Sequence, residues 1–240
     1  MKLSLLATLN EERVARRAAI IITDVATGAQ RFVRESELVS EPWASDPLSR
    51  TLADALRTGK SGMVDTPQGQ AFLTVSVPPV RMIVTGAVHI SQALAPMAKL
   101  AGFDVVIIDP RTAFATPERF PDVDLRPEWP DAVIPSLGFD RYTAFVALTH
   151  DPKIDDVALD LALKSDAFYV GALGSRKTHG KRVERLRAAG FDDNTIGRIR
   201  APIGLNIGAV SPAEIAVSIL AEAIGALRAE RMAARAAKAA

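Results

Sequence analysis

The chain has 240 residues, 48% of them apolar and 24% charged, the composition of an ordinary globular protein with room for one large domain or two small ones. Lys plus Arg number 29 against 28 Asp plus Glu, so no global charge advertises nucleic acid or a membrane surface as partner. The absence of cysteine excludes disulfides, thiolate metal sites, iron–sulfur clusters and cysteine nucleophiles together.

No apolar run approaches the roughly 20 residues of a membrane span. The start, MKLSLLATLNEERVARR, lacks a signal-type cleavage site and reads as a short amphipathic helix of a cytoplasmic protein. RAAIIITDVATGAQRFVRE follows as a hairpin turning at Thr27-Gly28. Asp46-Pro47 supplies an N-cap and an N1 proline for the helix LSRTLADALRTG, stopped at Gly59. AFLTVSV is a further strand, and Pro78-Pro79 is a stiff hinge. These features predict a small α+β domain over residues 1–79 and a second domain over 80–240.

Beyond the hinge the pattern alternates. Strands are expected at 81–85, 104–109, 131–134, 143–149 and 167–173, with helices in ISQALAPMAKLAG, DDVALDLALKS and SRKTHGKRVERLRAAG. Apolar strands separated by helices predict an α/β domain, a Rossmann-like doubly wound parallel sheet covered on both faces. Ser211-Pro212-Ala213-Glu214 caps a last helix with an apolar stripe at Ile215, Ile219, Leu220, Ile224 and Leu227, and the tail past Arg228 is expected to be exposed. Pro96 should kink the helix that contains it.

In such a sheet, ligands bind at the carboxyl ends of the strands. Three stretches there stand out. In RMIVTGAVHISQAL, Gly86 suits a tight turn, but Val88 occupies the second glycine position of a dinucleotide fingerprint, and Asp109 stands where a ribose-binding acid belongs. A structural turn without phosphate explains Gly86 equally well. In VALTHDPKIDD, Asp151 is accounted for as an N-cap, while Thr149 and His150 close a strand at the crevice. In YVGALGSRKTHGKR, a glycine-punctuated strand end with Gly171 and Gly174 runs into a basic helix start. There Ser175, Arg176 and Lys177 are the expected anion contacts, with Lys181 and Arg182 on the same basic helix. The three histidines, His89, His150 and His179, each follow a strand at this edge, but their spacing matches no metal-ligand signature. PIGLNIGAVSPAE brings Gly204 near either a ligand or a neighbouring element.

At these residues the sequence resembles the XdhC/CoxF family, accessory proteins of xanthine dehydrogenase and related molybdenum hydroxylases. The matching stretches are GAVHISQALAPMAKLAGFDVVIIDPR, RFP, THDPKIDDVALDLAL, YVGALGSRKTHGKRVERLRAAGF and RIRAPIGLNIGAVSPAEIAVSILAE, in order over most of residues 80–227. The resemblance implies a dimeric carrier rather than a turnover enzyme. Such a carrier binds molybdenum cofactor (molybdopterin or its dinucleotide form, or a free nucleotide) while its sulfido ligand is installed, and delivers it to an apo-hydroxylase. A cysteine desulfurase would be a further partner. On this reading Gly86, His89, Asp109 and Arg111 line one side of the crevice and Thr149 and His150 the other. Gly171, Gly174 and Gly204 give close backbone approach, and Ser175, Arg176 and Lys177 receive phosphate.

Two departures qualify the resemblance. The family turn is closer to GAGH, and its cysteine-bearing GGCVE-like N-terminal motif has no counterpart in residues 1–79. The competing readings are a nicotinamide-dependent oxidoreductase, against which Val88 and the lack of a Tyr-x-x-x-Lys pair argue, and a non-catalytic nucleotide-binding scaffold.

Overall fold

The computed structural model describes residues 2–239, and the chain divides into two compact units, 1–78 and 79–240. The first unit carries helix α1 (Leu3–Val14), strands β1 (Ala19–Asp24) and β2 (Gln30–Arg34), helix α2 (Ser49–Thr58), and strands β3 (Gly62–Thr66) and β4 (Gly69–Ser76). Its sheet is antiparallel in the order β2-β1-β4-β3. The central strand β1 is apolar and buried through Ala19–Ile22. Leu9 of α1 packs on Ala19 and Ile21, and α2, with Leu52 fully buried, lies against β1 and β4.

Two expectations here need correction. The helix after Asp46-Pro47 begins at Ser49, because Asp46 spends its carboxylate on the N–H of Leu48 at 2.8 Å in a turn before the helix. Strand β3 is additional to the elements expected, since Gly62–Thr66 has one exposed and one half-buried face and little apolar patterning. The unit is tied together by Glu12 of α1, which is 2% exposed. It accepts hydrogen bonds from Arg17 and, at 2.8 Å, from Arg34 of β2.

The second unit contains β5 (Arg81–Thr85), α3 (His89–Leu100), β6 (Asp104–Ile108), β7 (Asp124–Arg126), α4 (Pro130–Leu137), β8 (Thr143–Ala147), α5 (Pro152–Leu163), β9 (Tyr169–Ala172), α6 (Arg176–Ala188), α7 (Asp193–Ile196), β10 (Ile199–Arg200) and α8 (Pro212–Ala239). All six strands are parallel, in the order β10-β9-β8-β5-β6-β7. This is the 3-2-1-4-5-6 order of the dinucleotide-binding fold, with its reversal between β5 and β8. Alternate residues feed two cores. Met82, Val84, Val105, Ile107 and Val146 face α3 and α8, while Ile83, Val106, Ile108, Phe145 and Val170 face the layer of α4, α5 and α6.

Residues 131–134, expected as a strand, are the middle of α4. Pro130 at N1, Asp131 in the first turn and left-handed Gly138 just past the end are helix boundary signals, and a four-residue apolar run cannot outweigh them. The outer strands β7 and β10 escape sequence reading because short, polar edge strands carry almost no apolar signal. In α8 the fully buried positions are Ala216, Ile219 and Ala223, and the two alanines suit the close packing of α8 on α3. Ile224, placed in the stripe by the sequence, is 37% exposed. The tail's side chains past residue 229 lie outside the described residues.

The glycines Gly171 and Gly204 are accounted for by packing. A Cβ at 171 would fall 2.6 Å from Ile203 Cδ1, and one at 204 would fall 2.3 Å from Ser218 Oγ and 3.1 Å from the backbone N of Ile219. Gly204 also has φ +89° and donates its N–H to Glu222 at 2.9 Å, while Tyr169 donates its hydroxyl to the same carboxylate oxygen at 2.6 Å.

Two measurements test this packing and pairing. Gly204→Ala combines an unfavourable backbone angle with overpacking against α8, and should cost about 3 kcal/mol of stability in urea denaturation. Glu12 has its carboxyl held down at about 2, against an ordinary 4.5, chiefly by the hydrogen bond from Arg17. Its lowered value means that its stabilisation is complete above 4.5 and disappears as pH falls from there through about 2. Glu12→Gln should therefore lower stability at pH 7 by ~2 kcal/mol and remove that part of the acid dependence of the urea midpoint.

Candidate functional site

The reversal of strand order leaves a crevice beyond the carboxyl ends of β5 and β8, and the chain turns on each side of it are tightly specified. After β5, Gly86 takes φ +113°, and a Cβ there would meet Thr149 Cγ2 at 3.0 Å, so the two strand ends touch. The N–H of Ala87 donates to Asp109 Oδ2 at 2.7 Å and that of Val88 to Ser91 Oγ at 2.8 Å. Ser91 in turn donates its hydroxyl to carbonyls of Gly86 and Val88. Two backbone N–H groups that a phosphate would need at the first turn are thus already engaged. Val88, at the second glycine position of a dinucleotide fingerprint, packs half-buried against the apolar core.

Asp109 is fully buried and also accepts from the N–H and guanidinium of Arg111, at 2.9 and 2.7 Å. Burial pushes its carboxyl up, but the bonds from Arg111 and Ala87 outweigh that and hold it below the usual carboxylate range. The carboxylate therefore braces the turn and is not exposed to the crevice as a ribose-binding acid. Arg111 is partly exposed, lies over the Phe114 ring at 4.8 Å and feels Asp151 and Asp155 electrostatically. His89, the first residue of α3, is exposed.

Across the crevice the organising group is Asp155, which in sequence looks like one more acid on a helix surface. It is 1% exposed and accepts from Thr85 Oγ1 at 3.1 Å, from the N–H of Thr149 at 3.4 Å and from the N–H of His150 at 3.0 Å. Burial raises its carboxyl above the ordinary value against those bonds. His150 sits in the left-handed region at φ +62°, a conformation uncommon for non-glycine residues. Asp151 caps α5 through the N–H of Lys153 at 3.0 Å, as expected from the sequence.

The third wall is α6. Gly174 has φ +143°, and Ser175 caps the helix by accepting from the N–H of Thr178 at 3.2 Å. Ser175, Arg176 and Lys177 are all exposed. Between α5 and α6 lies a cavity of about 310 Å³ lined by His150, Lys177, Lys181 and Arg182, with Asp155 and Asp156. Its deepest cation is Arg182, 2% exposed, which donates Nη2 to the carbonyl of Leu173 at 3.0 Å while Nε and Nη1 have no hydrogen-bond partner. Burial pulls Arg182 below its ordinary pKa, with Asp155 and Asp156 acting the other way. His179 is half-buried on the same helix with Nδ1 unpartnered, and burial together with Arg182 lowers its pKa.

The structure therefore brings His150 and Lys177 together in one cavity and sets Gly86 against Thr149. It accounts for Gly171 and Gly204 by packing, and it does not gather the three histidines. Among the described residues no three His, Asp or Glu side chains group as a metal site requires. Arg182, which the sequence marks only as part of a basic helix, does carry a signal of burial: Thr178, Arg182 and Leu186 recur every fourth residue, and Arg182 and Leu186 are buried.

Comparison with known proteins supplies the relationship. Residues 82–223 match the XdhC Rossmann domain. The chain is 33% identical over 177 residues to the uncharacterized protein YqeB of Escherichia coli K12, covering 73% of this chain and 31% of that protein. It is 33% identical over 154 residues to a probable subunit of the xanthine dehydrogenase of Bacillus subtilis 168, covering 64% and 44% respectively. With the molybdenum cofactor insertion chaperone PaoD of E. coli K12 it shares 32% identity over 145 residues, 60% of this chain and 39% of that one. The chain thus spans less than half the length of these curated relatives. A solved xanthine dehydrogenase structure from Bacillus halodurans shares the fold, with a TM-score of 0.67 at 22% identity over 96% of this chain and 68% of that one. With the domain match extending over more than half of its length, the chain belongs to the XdhC family.

Proposed function

We propose that this protein is a maturation factor that binds molybdenum cofactor and serves a xanthine dehydrogenase-type molybdenum hydroxylase. The observation that carries this reading is the pairing of two features. The Rossmann unit is related to a cofactor insertion chaperone and to part of a xanthine dehydrogenase, and its crevice favours anions at α6 while the nucleotide turn at α3 is self-satisfied.

The residues present suit a pterin phosphate. Unpartnered buried donors on Arg182 and the cations Lys177 and Lys181 are the groups that stabilise one, and α6 adds the positive end of its helix dipole. Ser175, Arg176 and Lys177 would receive the phosphate at the helix start, with Gly86, His89, Arg111, Thr149 and His150 bordering the pterin. The cofactor's molybdenum supplies the redox chemistry of the client enzyme; this chain's residues bind, orient and shield it. No thiolate of this chain can ligate the metal, because the sequence has no cysteine. A homodimer in the cytoplasm, with the apo-hydroxylase and a cysteine desulfurase as partners, completes the proposal.

A thermal-shift series separates this reading from a nicotinamide enzyme. Molybdopterin or its dinucleotide form should stabilise the protein, by about 2.7 kcal/mol at a hundred times its dissociation constant. Arg176→Ala should weaken that shift, and NAD and NADP should give none. A shift with NAD and none with any pterin form would reverse the assignment.

A further inference from the structure

We propose that the cavity between α5 and α6 is a seat for a phosphate group, with Arg182 as its floor and Lys177 and Lys181 at its mouth. It adjoins the helix-start contact at Arg176, shares Lys177 with it, and stands whether or not the cargo is a pterin.

Arg182 is the reason. A guanidinium that is 2% exposed normally spends its donors on carboxylates or carbonyls, yet here only Nη2 is engaged, by Leu173. Nε and Nη1 are buried without partners. The neighbouring acids do not take them. Both oxygens of Asp155 are committed to Thr85, Thr149 and His150, and Asp156 is held by the guanidinium of Arg185. Lys177, Lys181, Arg182 and Arg185 therefore oppose only Asp155 and Asp156 around the cavity, leaving a local excess of two positive charges (four minus two).

A tetrahedral oxyanion answers each of these features. It accepts the unused guanidinium donors, neutralises the excess charge, and meets the lysines with its outer oxygens. The chemistry is shared by free phosphate and by the phosphate of an ester, so both belong in the test.

Calorimetric titration of the full chain at constant ionic strength should detect binding of inorganic phosphate. Phenyl phosphate should bind as well if the cavity mouth admits an ester, and should fail where only the free ion is taken. Arg182→Met should lose at least tenfold in affinity, Lys181→Ala threefold to tenfold, and Arg187→Ala, in the last turn of α6 and away from the cavity, nothing. Lys181 is exposed, so its replacement leaves folding intact and keeps the test decisive should Arg182→Met fold poorly. In the absence of phosphate, Arg182→Met should match or exceed the wild-type melting temperature, since it removes two buried nitrogens without hydrogen-bond partners. Absence of heat with either anion, or wild-type affinity in both Arg182→Met and Lys181→Ala, overturns the seat. Phosphate binding through Arg182 without any pterin-induced shift would retire the maturation reading and leave the seat in place.

Discussion

The buried carboxylate of Asp155 is the interaction on which the second unit's functional edge depends. Where two parallel strands diverge at a reversal of strand order, their last N–H groups lose the partners that a continuing sheet would supply. Asp155 meets that need from α5 by accepting from Thr149 and His150 of the β8 turn and from the hydroxyl of Thr85 in β5. A buried carboxylate is expensive unless hydrogen-bonded, and this one is hydrogen-bonded by donors from both sides of the crevice. The bond to the His150 N–H also supports its left-handed backbone, which borders the cavity between α5 and α6.

The same accounting of N–H groups separates the start of α3 from that of α6. At the start of α3, anion affinity would have to come from backbone donors, because His89 is the only basic side chain in the first turn. Asp109 and Ser91 have taken the N–H groups of Ala87 and Val88. At α6 the arrangement is inverted. Ser175 caps the helix internally, but cationic side chains supply what the backbone does not. On the proposed reading, an anion is favoured at α6 by side-chain cations and not at α3 by backbone donors.

Much of this is legible in the sequence where one physical signal acts alone. The strands of the parallel core are visible as apolar runs, the caps at Asp151 and Ser211 as side-chain acceptors before proline, and the turn at Gly86 as a glycine at a strand end. Where signals compete, the stronger constraint decides. Pro130 and Gly138 make a helix of residues 131–134, and in α8 the approach to α3 buries the alanines and leaves Ile224 outside. The glycines Gly171 and Gly204 look like ligand contacts because a glycine beside a crevice has the same appearance whether a ligand or Ile203 and Ser218 occupies its space. Asp155 and Arg182 are hard to read because each looks in sequence like a surface charge on an amphipathic helix. Only the three-dimensional meeting of α5, α6 and two strand ends makes them interior.

That burial poses the question the cavity answers. Asp155 and Arg182 carry opposite charges, influence each other electrostatically and make no hydrogen bond to one another. Direct pairing would satisfy both groups locally, and would also draw α6 and α5 together over the space between them. Instead the carboxylate is given to backbone donors that only an acceptor fixed in the fold can satisfy. The guanidinium, rigid and permanently charged, is left with two buried, unpartnered nitrogens beside a cavity rimmed by lysines. On the proposed reading, a fold that commits the acid and holds back the base at the same edge keeps that edge for an anion brought from outside.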